Sequence, residues 1–482
     1  MNRIKRTIGG ETLMNKRKFI LRIMQIATVV MALVIVVFIV WLILSGINNS
    51  FNSRQENNKE TGGIVETPDL GGETAPGEDF SPLPAENATE VPLTYEDVSL
   101  VSVGDVLIYA SMWESAKAYG GGKYDFSELT KYMEPIVKEA DYAIFNLEVN
   151  CAGESEGYRA YPTFNAPDAI ITNMKNAGFD GALFANNHTY DTGHAGFMRT
   201  QTLLAENGLR VFGTRKSEEG KSYGIVSVGG IRIGIVNYTY EEGPDEYKKD
   251  KTRKYLNWNA VDSGDVPLID GFSTSRLEDF FSETESRVNE MRNDGADFVV
   301  AYLHWGTEYD EDANNVQKTI AQRFCNMGVD LIVGGHPHVV QPVATYTSGD
   351  GKHRMLCYYS LGNFTSAQNR LTFQSSPPYA WLCENELLAK VTVRKYSTGE
   401  TLIVNADYSP LWLHRHSVNG RLVFNVVPLD KALADNGAKE AYGLFESSFG
   451  EEHAQAAYNY LEKMVRPGIE EFNGGIVLPY GE

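Results

Sequence analysis

The sequence predicts a layered α/β domain that follows a single N-terminal transmembrane helix. Three segments, at residues 176–180, 293–297 and 326–330, share the pattern Asn-x-Gly-x-Asp, which is typical of a helix end capped by Gly. Each segment precedes a short continuous apolar run, as expected for a central strand covered on both faces. This repeated alternation of helix and strand predicts the layered α/β domain.

A β-hairpin is predicted between these units, and beyond Leu356 the pattern becomes mostly β. Residues 223–228 and 231–236 flank two adjacent glycines and predict a β-hairpin with a glycine turn. Further strands are predicted at residues 355–360, 386–393 and 401–408. We therefore expect a mixed sheet arranged as two stacked layers, with a helix-like stretch at 453–464 packed on the domain edge.

The N-terminus predicts membrane anchoring. Seven basic residues precede an uncharged apolar run at residues 23–44, which spans about 33 Å as a helix, enough to cross a bilayer. The run is longer than the apolar part of a cleaved signal peptide, and Trp41 near its far end is typical of an interfacial anchor. A cleaved signal is the alternative. The basic residues before the run predict a cytoplasmic N-terminus and an extracytoplasmic C-terminal domain.

These features divide the chain into four segments and predict a single-pass protein of the cell membrane. The segments are a cytoplasmic basic segment (1–22), a transmembrane signal anchor (23–45), a flexible extracytoplasmic linker (46–94) and a globular domain (95–482). The linker is rich in Asn, Glu, Gly, Pro and Thr, a composition that buries too little apolar surface to fold.

The composition excludes several classes of protein. With 43% hydrophobic and 11% aromatic residues, most of the chain is not disordered. The net charge of −20 makes nucleic acid a poor partner. The four cysteines form no CxxC pair, so a zinc ribbon or thioredoxin motif is not supported. A bridge between Cys357 and Cys383 stays open.

Polar side chains follow the predicted strands at the points where the strands end. Ligand sites in open α/β sheets lie outside the carboxyl ends of the strands, so these side chains are expected to converge. Carboxylate, carboxamide and imidazole together suit Zn, Mn or Fe rather than Ca or Mg. The candidate ligands are Asp105, Glu148, Asn187, His188, His304, His336 and His338.

The sequence His336-Pro337-His338 indicates two neighbouring ions. Alternate residues of an extended segment point to opposite sides, so each imidazole can serve a different ion. Two adjacent ions would clamp the attacking and leaving oxygens of a displacement. Such a pair needs a bridging carboxylate, which we assign to Glu148, with Asp105 at one ion and Asn187 at the other. We expect one or two divalent ions.

Six motifs occur in order within residues 97–413. They are Gly-Asp-Val, Asn-Leu-Glu, Ala-Asn-Asn-His-x-x-Asp-x-Gly, His-Trp-Gly-x-Glu-Tyr, Gly-Gly-His-Pro-His and Tyr-Ser-Leu-Gly-Asn-Phe. Together they resemble the CapA family of capsule synthesis proteins, which are linked to poly-γ-glutamate. That family is related to calcineurin-like metallophosphoesterases, so the resemblance implies a four-layer α/β/β/α sandwich with two metals at the end of the sheets.

The resemblance also implies a role for each motif residue. It places Asp105 and His338 at one ion, Asn187, His304 and His336 at the other, and Glu148 between them. His188 would be the general acid that protonates the leaving group, oriented by Asp191. One departure is that the phosphoesterases open with Asp-x-His, whereas this chain has Leu107 two residues after Asp105. One imidazole is therefore missing from the first ion's ligands.

Two residues are candidates for substrate contact. Arg159, in the loop after Glu148, is the cation placed to meet an anionic substrate, and a solvated surface arginine is the alternative. Asn363 follows Gly362 in a predicted turn beside the site.

Two functions from different classes fit the sequence. The first is an extracytoplasmic, metal-dependent hydrolase or transferase that acts on an anionic capsular or cell-wall polymer. The second is a non-catalytic protein of capsule polymer assembly, export or anchoring that uses the same fold. The resemblance further implies membrane-bound synthase and export subunits as partners. An acidic surface would repel a polyanion unless metal ions or a basic groove intervene.

Overall fold

Two β-sheets position the candidate metal ligands. The structure is a computed structural model that describes residues 93–372 and 378–479. Among these residues, eight strands form the first sheet, in the order β17-β16-β15-β1-β2-β3-β4, with β14 paired to β1. The strands, numbered in chain order, are β1 (Tyr95–Val106), β2 (Tyr142–Leu147), β3 (Gly181–Leu183), β4 (Arg210–Phe212), β14 (Asn363–Thr365), β15 (Asn385–Tyr396), β16 (Thr401–Val418) and β17 (Arg421–Pro428).

The second sheet has the order β12-β13-β11-β10-β6-β5, with β9 paired to β6. Its strands are β5 (Gly224–Val228), β6 (Ile231–Tyr240), β9 (Gly271–Phe272), β10 (Phe298–His304), β11 (Leu331–Gly335), β12 (Val343–Thr347) and β13 (Arg354–Tyr358). Strand β10 runs parallel to both β6 and β11. In the first sheet β1, β2, β3 and β4 are also parallel. Parallel neighbours bring their carboxyl ends to one edge, where the candidate ligands lie.

The helices are α1 (Ala110–Tyr119), α2 (Ser127–Thr130), α3 (Glu134–Lys138), α4 (Ala169–Asn176), α5 (Gly193–Glu206), α6 (Leu277–Asn293), α7 (Asn315–Asn326), α8 (Leu429–Ala432), α9 (Asn436–Ala441) and α10 (Gly450–Gly474). Helices α1–α7 cover the outer faces of the two sheets, whereas α8 and α10 contribute to the apolar cluster between the sheets. One buried cluster joins apolar residues of α1–α5 to the first sheet, and another joins α6 and α7 to the second.

A third apolar cluster fills the space between the two sheets. Val98 and Leu100 of β1 meet Ile233 and Ile235 of β6 in this cluster, together with Leu461 of α10. The described residues thus stack as helix, sheet, sheet and helix, so the predicted mixed α/β architecture is confirmed. Helix α10 extends the predicted 453–464 stretch at both ends and packs on β12 and β16.

The local predictions hold with two adjustments of length. Gly229 and Gly230 join β5 to β6 with φ angles of 51° and 84°, as the hairpin prediction requires. Strand β16 runs from Thr401 to Val418, well beyond the predicted 401–408. Strand β3 ends at Leu183, because the amide of Ala185 already bonds to Asn237 of the other sheet at 2.9 Å.

The predicted transmembrane anchor and linker fall within residues 1–92, outside the described residues. Within residues 93–372 and 378–479, the helices are too short or too polar to cross a membrane. Cys151, Cys325, Cys357 and Cys383 are all free and buried, so the bridge between Cys357 and Cys383 does not form in this structure.

Candidate metal centre

Six predicted ligands converge at the carboxyl ends of the strands. Asp105 lies near the end of β1, Glu148 directly follows β2, and His304 ends β10. Asn187 lies in the loop after β3, and the two remaining imidazoles lie in the loop after β11. All six side chains are buried, although carboxylates are rarely buried without a partner. These six are Asp105, Glu148, Asn187, His304, His336 and His338.

Two groups of three ligand atoms share one carboxylate. Glu148, His304 and His336 bring ligand atoms within 4.8 Å of one another, and Asp105, Glu148 and His338 do the same. Glu148 is the member common to both groups. The geometry therefore matches the expected arrangement of a carboxylate between two ion positions, and the described residues include a cluster that can hold a metal.

Glu148 carries the strongest sign that the cluster needs a cation. Its side chain is fully buried, and neither carboxylate oxygen has a hydrogen-bond partner in the structure. Burial, followed by the nearby charge of Asp105, holds the pKa of Glu148 well above its ordinary value. The Nδ1 atom of His336 is likewise buried without a partner. A divalent cation among these atoms would satisfy them, so the residues present fit a metal site.

Asp105 has the opposite electrostatic environment. It accepts hydrogen bonds from Nδ2 of Asn146 at 2.8 Å and from the main-chain amide of His336 at 3.0 Å. Burial acts to raise its pKa, but the hydrogen bond from His338 and the charges of His304 and His338 outweigh burial, so the pKa of Asp105 lies below its ordinary value. Asp105 is therefore held as a carboxylate, the form that binds metal.

His304 and Asn187 meet at the centre of the cluster. Nε2 of His304 lies 2.7 Å from Oδ1 of Asn187 and 3.4 Å from Oε1 of Glu148. Burial lowers the pKa of His304 to about 3, and burial also lowers the pKa of His336 well below its ordinary value. Both imidazoles are thus neutral at physiological pH, with a lone pair available for a cation.

The loop after β11 differs from the extended segment that the sequence predicts. His336 and His338 have φ angles of 95° and 59°, in the left-handed region that few L-residues adopt. The two imidazoles nevertheless belong to different ligand groups. A bend in the main chain separates them, and not the side-to-side alternation of an extended segment. Such strain persists only where surrounding contacts hold it, and it is concentrated at functional sites.

Gly335 permits the close approach of this loop to β1. A Cβ atom there would lie 2.6 Å from Oδ1 of Asp105, which is too close for any side chain. The main-chain amide of His336, the next residue, then donates to the other oxygen of Asp105. The Gly-Gly-His motif therefore requires its second glycine for packing against the carboxylate of Asp105.

Asn363 lies behind His338. Its Nδ2 donates to the carbonyl oxygens of His338 and Cys383 at 3.3 and 3.2 Å, and its Oδ1 faces Nδ1 of His338 at 3.0 Å. An amide oxygen only accepts, so Nδ1 carries the hydrogen and Nε2 of His338 is left free for a metal. The structure thus gives Asn363 a positioning contact, while a substrate contact stays a prediction.

His188 and Asp191 form a buried pair beside the cluster. Nδ1 of His188 lies 2.7 Å from Oδ2 of Asp191, which also accepts from the main-chain amide of Phe164 at 2.6 Å. The ring of Phe164 packs edge-on against the imidazole, with ring centres 4.8 Å apart. A carboxylate on Nδ1 leaves Nε2 as the nitrogen that can donate a proton, as the predicted general acid requires.

Arg159 and Leu107 belong to neither ligand group. Arg159 is exposed, and its guanidinium donates to the main-chain carbonyl of Glu156 at 3.0 Å, so its contact with substrate stays a prediction. Leu107 is buried in the core, and its amide donates to Thr365 at 2.8 Å. The missing imidazole is therefore replaced by a packing residue, yet three ligand atoms remain around the first ion position.

Two asparagine side chains that hold the candidate ligands in place were not predicted from the sequence. Asn146 donates to Asp105, and its Oδ1 accepts from Asn186 at 3.1 Å. Asn186 also accepts from the main-chain amide of His188 at 3.1 Å. Both lie inside motifs already recognised, beside Glu148 and Asn187 in sequence. Their positions inside these motifs were the available signal in the sequence. Only the fold shows which side chains they contact.

Comparison with known proteins places this chain in a family. A profile of the family described as "Bacterial capsule synthesis protein PGA_cap" matches residues 99–368. The chain is 27% identical over 278 residues to "Capsule biosynthesis protein CapA" of Bacillus anthracis, covering 57% of this chain and 61% of that protein. It is 28% identical over 282 residues to "PGA biosynthesis protein CapA" of Bacillus subtilis (strain 168), covering 57% of this chain and 65% of that protein. The match thus spans less than two thirds of each relative.

Among solved structures, the chain is similar to the calcineurin-like phosphoesterase YfkN from Bacillus subtilis. The sequences are 13% identical with a TM-score of 0.35, and the alignment covers 77% of this chain and 100% of the other. The family match extends over more than half of the chain and includes every residue of the two ligand groups. The chain belongs to the bacterial capsule synthesis protein family PGA_cap.

Proposed function

We propose that this protein is a membrane-anchored, extracytoplasmic capsule biosynthesis protein whose metal-dependent site cuts or transfers bonds in an anionic cell-surface polymer of the poly-γ-glutamate type. The observation that carries the proposal is the buried, unpartnered carboxylate of Glu148 shared by two ligand groups. Glu386 is also a buried carboxylate with both oxygens unpartnered, but it belongs to neither ligand group, so the convergence of imidazoles and Asp105 on Glu148 is what distinguishes a metal site. The reaction class is a metal-dependent hydrolase or transferase.

The roles of the ligands follow from this proposal. Asp105 and His338 would hold one ion, with Asn187, His304 and His336 at the other and Glu148 between them. The mixture of oxygen and nitrogen ligands favours Mn, Zn or Fe. Bound there, the metals would supply Lewis-acid stabilisation of the charge that develops on the oxygens of the reacting group.

His188 supplies the proton that the departing group needs. In hydrolysis, the oxygen of water bonds to the acyl or phosphoryl centre, and the bond to the leaving atom breaks. The Nε2 proton of His188 moves to that leaving atom, and the proton that water sheds restores His188. Asp191 holds the imidazole through Nδ1 at 2.7 Å and stabilises its charged form.

A non-catalytic role in polymer assembly, export or anchoring is the second candidate. It is favoured by the names of the two Bacillus relatives, which refer to biosynthesis rather than to hydrolysis. In that case the metal cluster would bind the carboxylates of a polyanion that the net charge of −20 otherwise repels. Membrane-bound synthase and export subunits would then be its partners.

Metal analysis and turnover separate these candidates. The full 482-residue chain, purified in detergent, is assayed for bound metal and for hydrolysis of poly-γ-glutamate and of bis(4-nitrophenyl) phosphate. The test variant carries His336→Ala and His338→Ala. A matched control carries His414→Ala and His416→Ala, a buried histidine pair with the same spacing outside both ligand groups. The enzyme proposal predicts that only the first variant loses metal and turnover.

Either of two results would overturn parts of this proposal. Bound metal without any turnover in the wild-type chain would favour the assembly role. Absence of both metal and turnover would remove the metal-dependent function altogether.

The anchored topology has its own test. Protease added to intact cells is expected to remove residues 95–482 while leaving an epitope tag at the N-terminus protected. Protection of the whole chain would contradict the extracytoplasmic placement.

A further inference from the structure

A short hairpin reaches the His188–Asp191 pair from a distant part of the chain. Strands β7 (Tyr255–Leu256) and β8 (Asn259–Ala260) pair antiparallel, and Asn257 and Trp258 form the two-residue turn between them. Leu256 and Val261 anchor the hairpin in the core of the first sheet. The turn is therefore held at a fixed place beside the site rather than projecting freely.

The turn is strained in a way that packing does not explain. Asn257 and Trp258 have φ angles of 47° and 61°, as a type I′ hairpin turn requires. Asn is favoured at such positions, but a large aromatic residue is not, since Gly normally occupies the second position. Trp258 is also 63% exposed, so burial of its ring does not offset the strain. Strain of this kind is concentrated at functional sites.

The side chain of Asn257 contacts the His188–Asp191 pair. Its Nδ2 donates to the carbonyl oxygen of Pro162 at 2.7 Å and to Oδ1 of Asp191 at 3.2 Å. It also lies 3.4 Å from Nδ1 of His188. Because that Nδ1 donates to Asp191, the last distance is a contact between two donors and not a hydrogen bond.

Asp191 consequently receives three donors on its two oxygens. His188 and the amide of Phe164 donate to Oδ2, and Asn257 donates to Oδ1. Without Asn257, Oδ1 would lose this partner and the carboxylate could rotate about its last bond. A carboxylate that orients a histidine works only while its own orientation is fixed.

We infer that Asn257 is a positioning residue for the proton donor His188, acting through Asp191. The inference rests on the proposed function, since it assigns Asn257 to the proton transfer of that same site. It makes the 255–260 hairpin part of the catalytic machinery, although the hairpin contributes no ligand to either metal position.

Glycine substitutions separate this role from a turn-forming role. Asn257→Gly keeps the left-handed backbone conformation accessible and removes only the amide. The matched control is Asn419→Gly, because Asn419 has a φ angle of 52° in the turn between β16 and β17. Both variants are made in the full chain.

The first readout compares two phosphodiesters that differ in their leaving groups. The weakly basic 4-nitrophenolate of bis(4-nitrophenyl) phosphate needs little protonation, whereas the phenolate of diphenyl phosphate needs more. For Asn257→Gly we expect kcat/KM to fall about tenfold with diphenyl phosphate and less than about twofold with bis(4-nitrophenyl) phosphate. Asn419→Gly should change neither. Equal losses on both substrates would overturn the inference.

The second readout needs no activity. In the metal-free chain labelled with ¹⁵N-histidine, the Nδ1–H of His188 should give a low-field proton resonance, assigned by its loss in His188→Gln. We expect Asn257→Gly to shift or broaden this resonance and Asn419→Gly to leave it unchanged. An unchanged resonance in Asn257→Gly would overturn the positioning role. If the wild-type chain turns over neither diester, the proposed hydrolase falls, while this spectrum still decides the role of Asn257.

Discussion

At the residue scale, two neighbouring carboxylates have opposite electrostatic environments. The pKa of Asp105 lies below its ordinary value because hydrogen bonds and imidazole charges outweigh burial. The pKa of Glu148 lies well above its ordinary value because burial and the charge of Asp105 act together. The carboxylate of Asp105 is satisfied by protein donors, whereas neither oxygen of Glu148 has a hydrogen-bond partner.

This difference predicts a stability effect of Glu148→Gln in the metal-free chain. The unfolded chain releases the Glu148 proton above pH of about 4.5, but the folded chain resists that release, so the metal-free fold loses stability as the pH rises through this value. Gln removes the titration. At pH 8 in EDTA we expect Glu148→Gln to unfold in urea with a free energy about 0.5–2 kcal/mol above wild type. A lower unfolding free energy would contradict the unpartnered state of Glu148.

Sequence reasoning grouped the candidate ligands because each lies at or just beyond the carboxyl end of a strand. It could not identify Asn146 or Asn257, since their roles depend on contacts across the fold. Asn257 reaches Asp191 across 66 positions of sequence, and no local pattern encodes that contact.

At the element scale, the chain's local signals were reliable where the backbone is regular. The Asn-x-Gly-x-Asp segments end helices and lead into β3, β10 and β11, as predicted. The extended form expected for the loop after β11 was wrong, because the contacts of Gly335 and His336 with Asp105 impose a bend. A tertiary contact there overrides the local preference.

Helix α10 makes a backbone contact that a single methyl group should break. A Cβ atom on Gly468 would lie 2.1 Å from the carbonyl oxygen of Val343 in β12. We expect Gly468→Ala to lower the unfolding free energy by about 1–3 kcal/mol, measured by urea denaturation. Gly474, in the same helix, has open space at its Cβ position, so Gly474→Ala should be neutral or stabilising by up to ~1 kcal/mol. Equal effects would show that α10 does not pack on β12 in this way.

At the scale of the whole molecule, the two sheets are joined by an apolar interior that also buries titratable groups. Burial, aided by the neighbouring His416, lowers the pKa of His414 to about 3. His304 has a comparably lowered pKa. Below about pH 6.5 the unfolded chain therefore protonates these two imidazoles, whereas the folded chain keeps them neutral.

This difference in proton binding predicts that the folded chain is less stable in acid. Since the unfolded state binds more protons between pH 6.5 and 3, the unfolding free energy falls as the pH falls through this window. Each such imidazole contributes a loss of about 2 kcal/mol between pH 7 and pH 5. In EDTA, His414→Gln should reduce the pH dependence by about that amount, as measured by urea unfolding at both pH values. A slope equal to that of wild type would show that His414 titrates freely in the fold.

The architecture as a whole was accessible from the sequence, because alternating helices and apolar strands leave few ways to stack two sheets. The family relationship was also accessible, since six motifs occur in order along residues 97–413. Two features were not accessible from the sequence: the closeness of His304 to Asn187, and the lack of hydrogen-bond partners for the Glu148 oxygens. Both depend on distances between strands that sequence spacing does not encode.

Glu148 is proposed to lie between two metal ions, and bound manganese tests this arrangement most directly. The full chain is loaded with Mn(II), bound manganese is counted by mass spectrometry, and exchange coupling is measured by electron paramagnetic resonance. We predict two ions per wild-type chain with a coupled multiline spectrum, and at most one uncoupled ion in Glu148→Gln. A Glu148→Gln chain that keeps the coupled spectrum, or a wild-type chain that binds no manganese, zinc or iron, would contradict the account.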